Sequence, residues 1–158
     1  MQPSPAQQAE TIELELRLLL VKASQLGSMI YEWCNANGEP EARAVAYLWE
    51  DAAADVVIVR VRTNEGVAYR TPPCNDHFVP AHVTERERGT PVHVLRAALT
   101  WDHWGKERAP RPFSSPPPDF GLPLDFRLGH TEKLLMPRAG APIIRPPMPM
   151  PLRLPQSH

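Results

Sequence analysis

From Pro5 to Trp33 the chain carries one unbroken apolar period, and that period limits what the rest of it can become. Ile12, Leu16, Leu19, Ala23, Leu26, Ile30 and Trp33 follow one another at steps of four, three, four, three, four and three. Such spacing is the seam of an amphipathic helix. Ser4 before Pro5, with Gln7 three residues after the serine, marks the start. The serine oxygen caps a free amide, Gln7 closes a capping box, and proline sits where its missing N–H costs nothing. The helix is expected over about 5–36, with Asn37-Gly38 supplying the left-handed residue that ends it. At 1.5 Å per residue it would be about 45 Å long, more than the diameter of a small domain.

Leu14, Leu18 and Val21 add a second stripe, so the apolar face is wider than a two-stranded coiled coil needs. Such a face must be covered by another chain or by the remainder of this one. The seam residues Ile12, Leu16, Leu19, Ala23, Leu26, Ile30 and Trp33 are therefore candidates for contact with a protein partner or within a homo-oligomer. The plainer reading makes the same residues the core face of a central helix.

Pro40 suits the first turn of a second helix over about 40–54, carrying Val45, Leu48, Trp49 and Ala52 at helical spacing. The two helices would form an antiparallel hairpin, with Trp33 and Trp49 near its interface. After Asp55 the period changes to two. Val57, Val59 and Val61 alternate with Ile58, Arg60 and Arg62, Asn64-Glu65-Gly66 offers a turn, and Val67 to Thr71 returns. This predicts a β-hairpin over about 56–71, with His77 to Thr84 as a further strand that Pro80 confines to an edge or bulge. Thr90-Pro91 is a second cap-plus-proline start, for a helix over about 91–104.

At Ala109 the composition breaks: 13 of the 20 prolines lie between Pro110 and Pro155. The expectation is an α+β fold over 1–106, a long N-terminal helix in an antiparallel helical hairpin packed on a small antiparallel β-sheet. A proline-rich C-terminal arm over 107–158, extended or disordered, follows it. Within the arm Phe113, Phe120, Phe126, Leu134 and Leu135 can anchor on the domain or a partner. Near its end Pro147, Pro149 and Pro151 alternate with Met148, Met150, Leu152 and Leu154, which puts thioether and leucine side chains along one edge of an extended chain.

A net charge of −1 excludes the global basicity that drives sequence-independent binding to phosphate backbones. Two cysteines do not make a disulfide scaffold, no basic segment precedes an apolar one at the start, and Leu18 to Val21 is far too short to span a bilayer. These features point to a cytoplasmic protein, or part of a particle assembled inside a cell, and not to a membrane. Usage rich in alanine, arginine and proline suggests a bacterial or phage source.

Chemistry-bearing constellations are sparse. Cys74, His77 and His82 make a C-x2-H-x4-H cluster that zinc could use, against a plainer reading as a small core residue and two loop histidines. No other cofactor is indicated. A nucleophile would need Cys74 with His77 or His103 and Asp102, but no nucleophile elbow or phosphate-cradling glycine loop accompanies them. Arg60, Arg62 and Arg70 on the hairpin could follow the phosphates of DNA or RNA. The reading favoured is a non-catalytic accessory or structural subunit. It assembles through its long helix and docks a protein partner with its arm. The alternative is a small nucleic-acid-binding regulator holding a structural zinc.

Overall fold

The computed structural model describes residues 2–107 and 112–136. Within them α1 (Pro5–Leu26) is followed by β1 (Met29–Cys34), β2 (Pro40–Leu48), β3 (Ala54–Arg60), β4 (Glu65–Thr71) and β5 (Glu85–Gly89). Then come α2 (Pro91–Ala98), α3 (Leu124–Leu128) and β6 (Thr131–Met136). All six strands join one antiparallel sheet in the order β5-β4-β3-β2-β1-β6. Strands β1 to β5 are a meander, and β6 returns from far along the chain to the other edge.

The mixed helix-and-sheet class is as expected, but the helical hairpin is not formed. The first helix begins at the predicted cap, where Ser4 Oγ accepts from Gln7 N and Gln7 Oε1 from Ser4 N, and it stops at Leu26 instead of near residue 36. Gly27 adopts a left-handed φ of 114° and donates its N–H to Ala23 and Ser24 carbonyls. A left-handed glycine closes a helix at little cost, whereas glycine within one costs about 1 kcal/mol. Ile30 and Trp33 continue the helical spacing only by coincidence; both lie on β1, where they point to opposite faces. The Asn37-Gly38 pair closes the β1–β2 turn, with Asn35 Oδ1 accepting from the amides of Asn37 and Glu39.

The segment predicted as a second helix is β2. Its alanines favour a helix locally, but their spacing of two puts Ala42, Ala44 and Ala46 together beneath the rings of Tyr31 and Trp33. Small side chains there leave room for the stacked pair, whose centroids are 5.7 Å apart. The β3–β4 hairpin forms as predicted, in a register that pairs Asp55 with Arg70 and Val57 with Ala68. Thr90 caps α2, accepting from His93 N, but the helix ends at Ala98 and not near 104. The strand expected over 77–84 is irregular chain apart from one bridge, Val83 to Ser114.

Period-two alternation divides the core in two. Tyr31, Trp33, Val56, Ile58, Val67 and Tyr69 face one side of the sheet, and Ile30, Val45, Val57 and Ala68 the other. The second side is covered by the C-terminal half of α1 and by α2, through Ala23, Val94 and Leu95. The first is covered by irregular chain carrying Phe78, Val83, Phe120 and Leu122. Part of the predicted arm is thus built into the fold: Phe120 is buried, Phe126 and Leu134 pack at the core's margin, and Phe113 and Leu135 stay exposed. Residues 137–158 lie outside the described residues. Among those described, no helix is long and apolar enough to cross a membrane.

Two constraints on this cover can be tested. Gly121 has a φ of 123°, and a Cβ there would meet the Phe78 carbonyl oxygen at 2.6 Å. Gly121→Ala should lower stability by about 1–3 kcal/mol in urea unfolding, with the midpoint shifted and the slope unchanged. His77 is buried, and desolvation pushes its pKa down from 6.5 to about 4 despite the neighbouring Asp76. Between those values the unfolded chain binds a proton that the folded chain does not. Stability should therefore fall as pH drops from 6.5 toward 4, by up to about 3 kcal/mol. A set of urea curves across that window should show a shallower decline in His77→Phe.

Candidate functional site

The predicted seam of α1 divides into three parts. Leu16 and Leu19 are half-buried and Ala23 fully buried, with Leu20 beside them, and all pack on Ile30, Val45 and α2. An Arg96–Glu15 ion pair adds a second tie to α2. Ile30 and Trp33 belong to the sheet. Ile12 and Leu26 remain 54% and 53% exposed, and so does the second stripe, Leu14 at 52% and Leu18 at 61%. Every residue from Gln2 to Leu14 is exposed, so the first half of α1 runs beyond the sheet with nothing covering it among the described residues.

Arg70, expected on the hairpin as a possible phosphate contact, is instead wholly buried. Its position on β4 directs it to the helix-covered side, where its cross-strand partner Asp55 accepts from Nε at 2.6 Å and Nη2 at 2.9 Å. Its Nη1 donates to Glu107 at 3.0 Å, and its Nη2 also to the Asp102 carbonyl at 2.6 Å. Three indoles surround the guanidinium, with Trp49, Trp101 and Trp104 centroids 5.7, 5.8 and 5.9 Å away. Burial opposes the charge, but Asp55 and then Glu107 more than compensate and raise the Arg70 pKa. Desolvation dominates at Asp55, pushing its carboxyl up against the pull of Arg70. Arginine suits such a site because its planar fork binds carboxylate in bidentate fashion while its faces accept aromatic rings.

Beside this cluster a cavity of about 240 Å³ opens between strands β2 and β3, α2 and the end of α1. Val45, Val57, Leu95 and Leu99 give it aliphatic walls. Tyr47, Trp49, Trp101 and His103 line it with rings, Trp49 lying 4.6 Å from the ring of Tyr47 and 4.5 Å from that of His103. Asp55 is the carboxylate on its wall. Trp49 Nε1 is buried, yet no acceptor meets it in hydrogen-bond geometry among the described residues. Just outside, Trp104 Nε1 donates to Asp51 at 2.8 Å, which lowers the Asp51 pKa and keeps that carboxylate charged. The sequence signal for this site was the run Trp101-Asp102-His103-Trp104 after α2, together with Trp49; nothing local linked them to Arg70.

The other predicted sites are dispersed. Arg60 donates to the Gly121 carbonyl and Arg62 extends into solvent near Glu41, while Arg70 lies within the core, so the three share no surface. Cys74 Sγ accepts from Thr71 Oγ1 at 3.5 Å, His77 is buried beneath Phe78, and His82 lies beside Phe113. Among the described residues no three His, Cys, Asp or Glu side chains are grouped so as to hold a metal. Cys74 and His103 line different cavities. Met148, Met150, Leu152 and Leu154 lie outside the described residues.

The Arg70–Asp55 pair predicts strong energetic coupling. Arg70→Met and Asp55→Leu should each cost about 3–5 kcal/mol, because the first leaves the buried Asp55 carboxylate without its cation and the second leaves the buried guanidinium without its bidentate partner. The double variant should cost at least about 1 kcal/mol less than the two singles added together, measured as a double-mutant cycle by urea unfolding.

No family model matches this chain, and neither a curated protein nor a solved structure does.

Proposed function

We propose that this protein is a non-catalytic accessory or structural subunit that assembles through α1, and that a second copy of the same chain covers the exposed part of that helix. The observation that carries this reading is the first half of α1. Ile12 and Leu14 there, and Leu18 just beyond, are more than half exposed, although the same helix is well capped and packs on the core only through its second half. Contiguous apolar surface of this kind marks an interaction site more often than an idle one.

The charge order favours a like copy. Glu10 and Glu13 precede Arg17 and Lys22 along the helix. In antiparallel apposition about a two-fold axis near Leu16, Leu14 of one copy meets Leu18 of the other, and each acidic half lies against a basic one. A parallel pair would set like charge against like. Closed two-fold pairing uses the same patch on both copies, which one self-complementary helix can supply. The chain beyond Met136, with Met148, Met150, Leu152 and Leu154, then serves as the segment that reaches a different protein partner. A dimer displays it twice, which raises the effective concentration at a multivalent target.

Light-scattering chromatography of the full chain tests the assembly. A dimer is expected, and Leu14→Lys combined with Leu18→Lys should give a folded monomer with unchanged far-UV circular dichroism. A wild-type chain that elutes as a monomer at every concentration, or a double variant that stays dimeric, would refute pairing through α1.

A further inference from the structure

We propose that the cavity beside Arg70 binds a small organic cation, an amine carrying an apolar tail. This is independent of how α1 is covered. The walls set the tail: Val45, Val57, Leu95 and Leu99 offer only methyl groups, and about 240 Å³ is below the roughly 300–1,000 Å³ of sites for drug-sized ligands. The ligand is therefore small and mostly hydrocarbon.

The rings at the cavity set the sign of its polar end. Tyr47, Trp49 and Trp101 line the cavity, and aromatic rings attract an ammonium group. The same indole cluster already surrounds one cation, the Arg70 guanidinium, at under 6 Å from three ring centroids. Fixed charges point the same way. Among the described residues hydrogen-bonded into this cluster, Asp51, Asp55 and Glu107 are acidic and Arg70 is basic, so acid is in excess. An incoming ammonium group reduces that excess, an uncharged ligand leaves it, and an anion adds to it.

The probes are three molecules of one skeleton: 2-phenylethylamine, 2-phenylethanol and 3-phenylpropionate. Each is titrated into the full chain by calorimetry, with indole fluorescence followed in parallel. The amine should bind one to one, at least tenfold more tightly than the alcohol, and should perturb the emission of the lining tryptophans; the acid should give no detectable heat. Ala98→Phe, which directs a ring from α2 into the cavity, should abolish binding, with thermal melting used to establish that it folds. Asp51→Asn removes the charge of an exposed carboxylate and should reduce the preference for amine over alcohol several-fold, with thermal melting used to establish that the variant folds. Equal affinity for amine and alcohol, no binding of any probe, or a preference insensitive to Asp51→Asn would each overturn the proposal.

Discussion

The central strands of this protein are apolar on both faces, and the rest of the structure answers that constraint. Ala54, Val56 and Ile58 of β3 point to one side and Val57 to the other, with Val67 and Tyr69 of β4 opposed by Ala68 in the same way. A sheet of this kind cannot leave either face in water and must be covered twice. On one side α1 and α2 do so with regular backbone whose hydrogen bonds are internal. On the other, the cover is irregular chain on either side of the α2 region, and its polar backbone needs partners of its own. It finds them in the pairing of Val83 with Ser114, in Leu122 N donating to the Phe78 carbonyl at 2.7 Å, and in Tyr69 Oη donating to that of His77 at 2.6 Å. Proline suits such a cover because each one removes an N–H that would otherwise need an acceptor over an apolar surface.

The same alternation that buries valine on β4 buries Arg70, and the consequences extend well beyond one side chain. A buried guanidinium is tolerated only where carboxylate and carbonyl acceptors surround it. Asp55 lies directly opposite in the register, but Asp102 and Glu107 come from the chain after α2. The charge therefore fastens the segment after α2 to the sheet and gathers the three tryptophans around it. The cavity lies beside this arrangement, where the short α2 and the end of α1 leave room next to the indoles.

At the two sheet edges the chain uses opposite means. The outer strand β5 reads Glu85-Arg86-Glu87-Arg88, alternating charges that discourage further strand pairing. At the other edge β6 has no outer neighbour among the described residues, and it pairs with β1, the strand that follows α1 directly.

Much of the local structure was legible in the sequence, and the misreadings have specific causes. Ser4-Pro5-Gln7 and Thr90-Pro91 identified two helix starts, and the change to period two after Asp55 identified the β3–β4 hairpin, because capping, turn formation and alternation depend on residues within a few positions of one another. The end of α1 was misread because Ile30 and Trp33 keep the helical count past Gly27; β2 was misread because alanine favours helices until aromatic neighbours across a sheet need small residues beneath them. The candidate sites were less legible still. By itself the sequence determined where elements begin, which faces are apolar and that α1 has more apolar surface than one packing contact uses. Only the tertiary structure decided that Arg70 lies in the core with Asp55 and three indoles, that Cys74 and His103 are apart, and that Thr131–Met136 completes the sheet. Those outcomes rest on contacts between residues some 15 to 100 positions apart, whose energy exists only once the sheet has set its register.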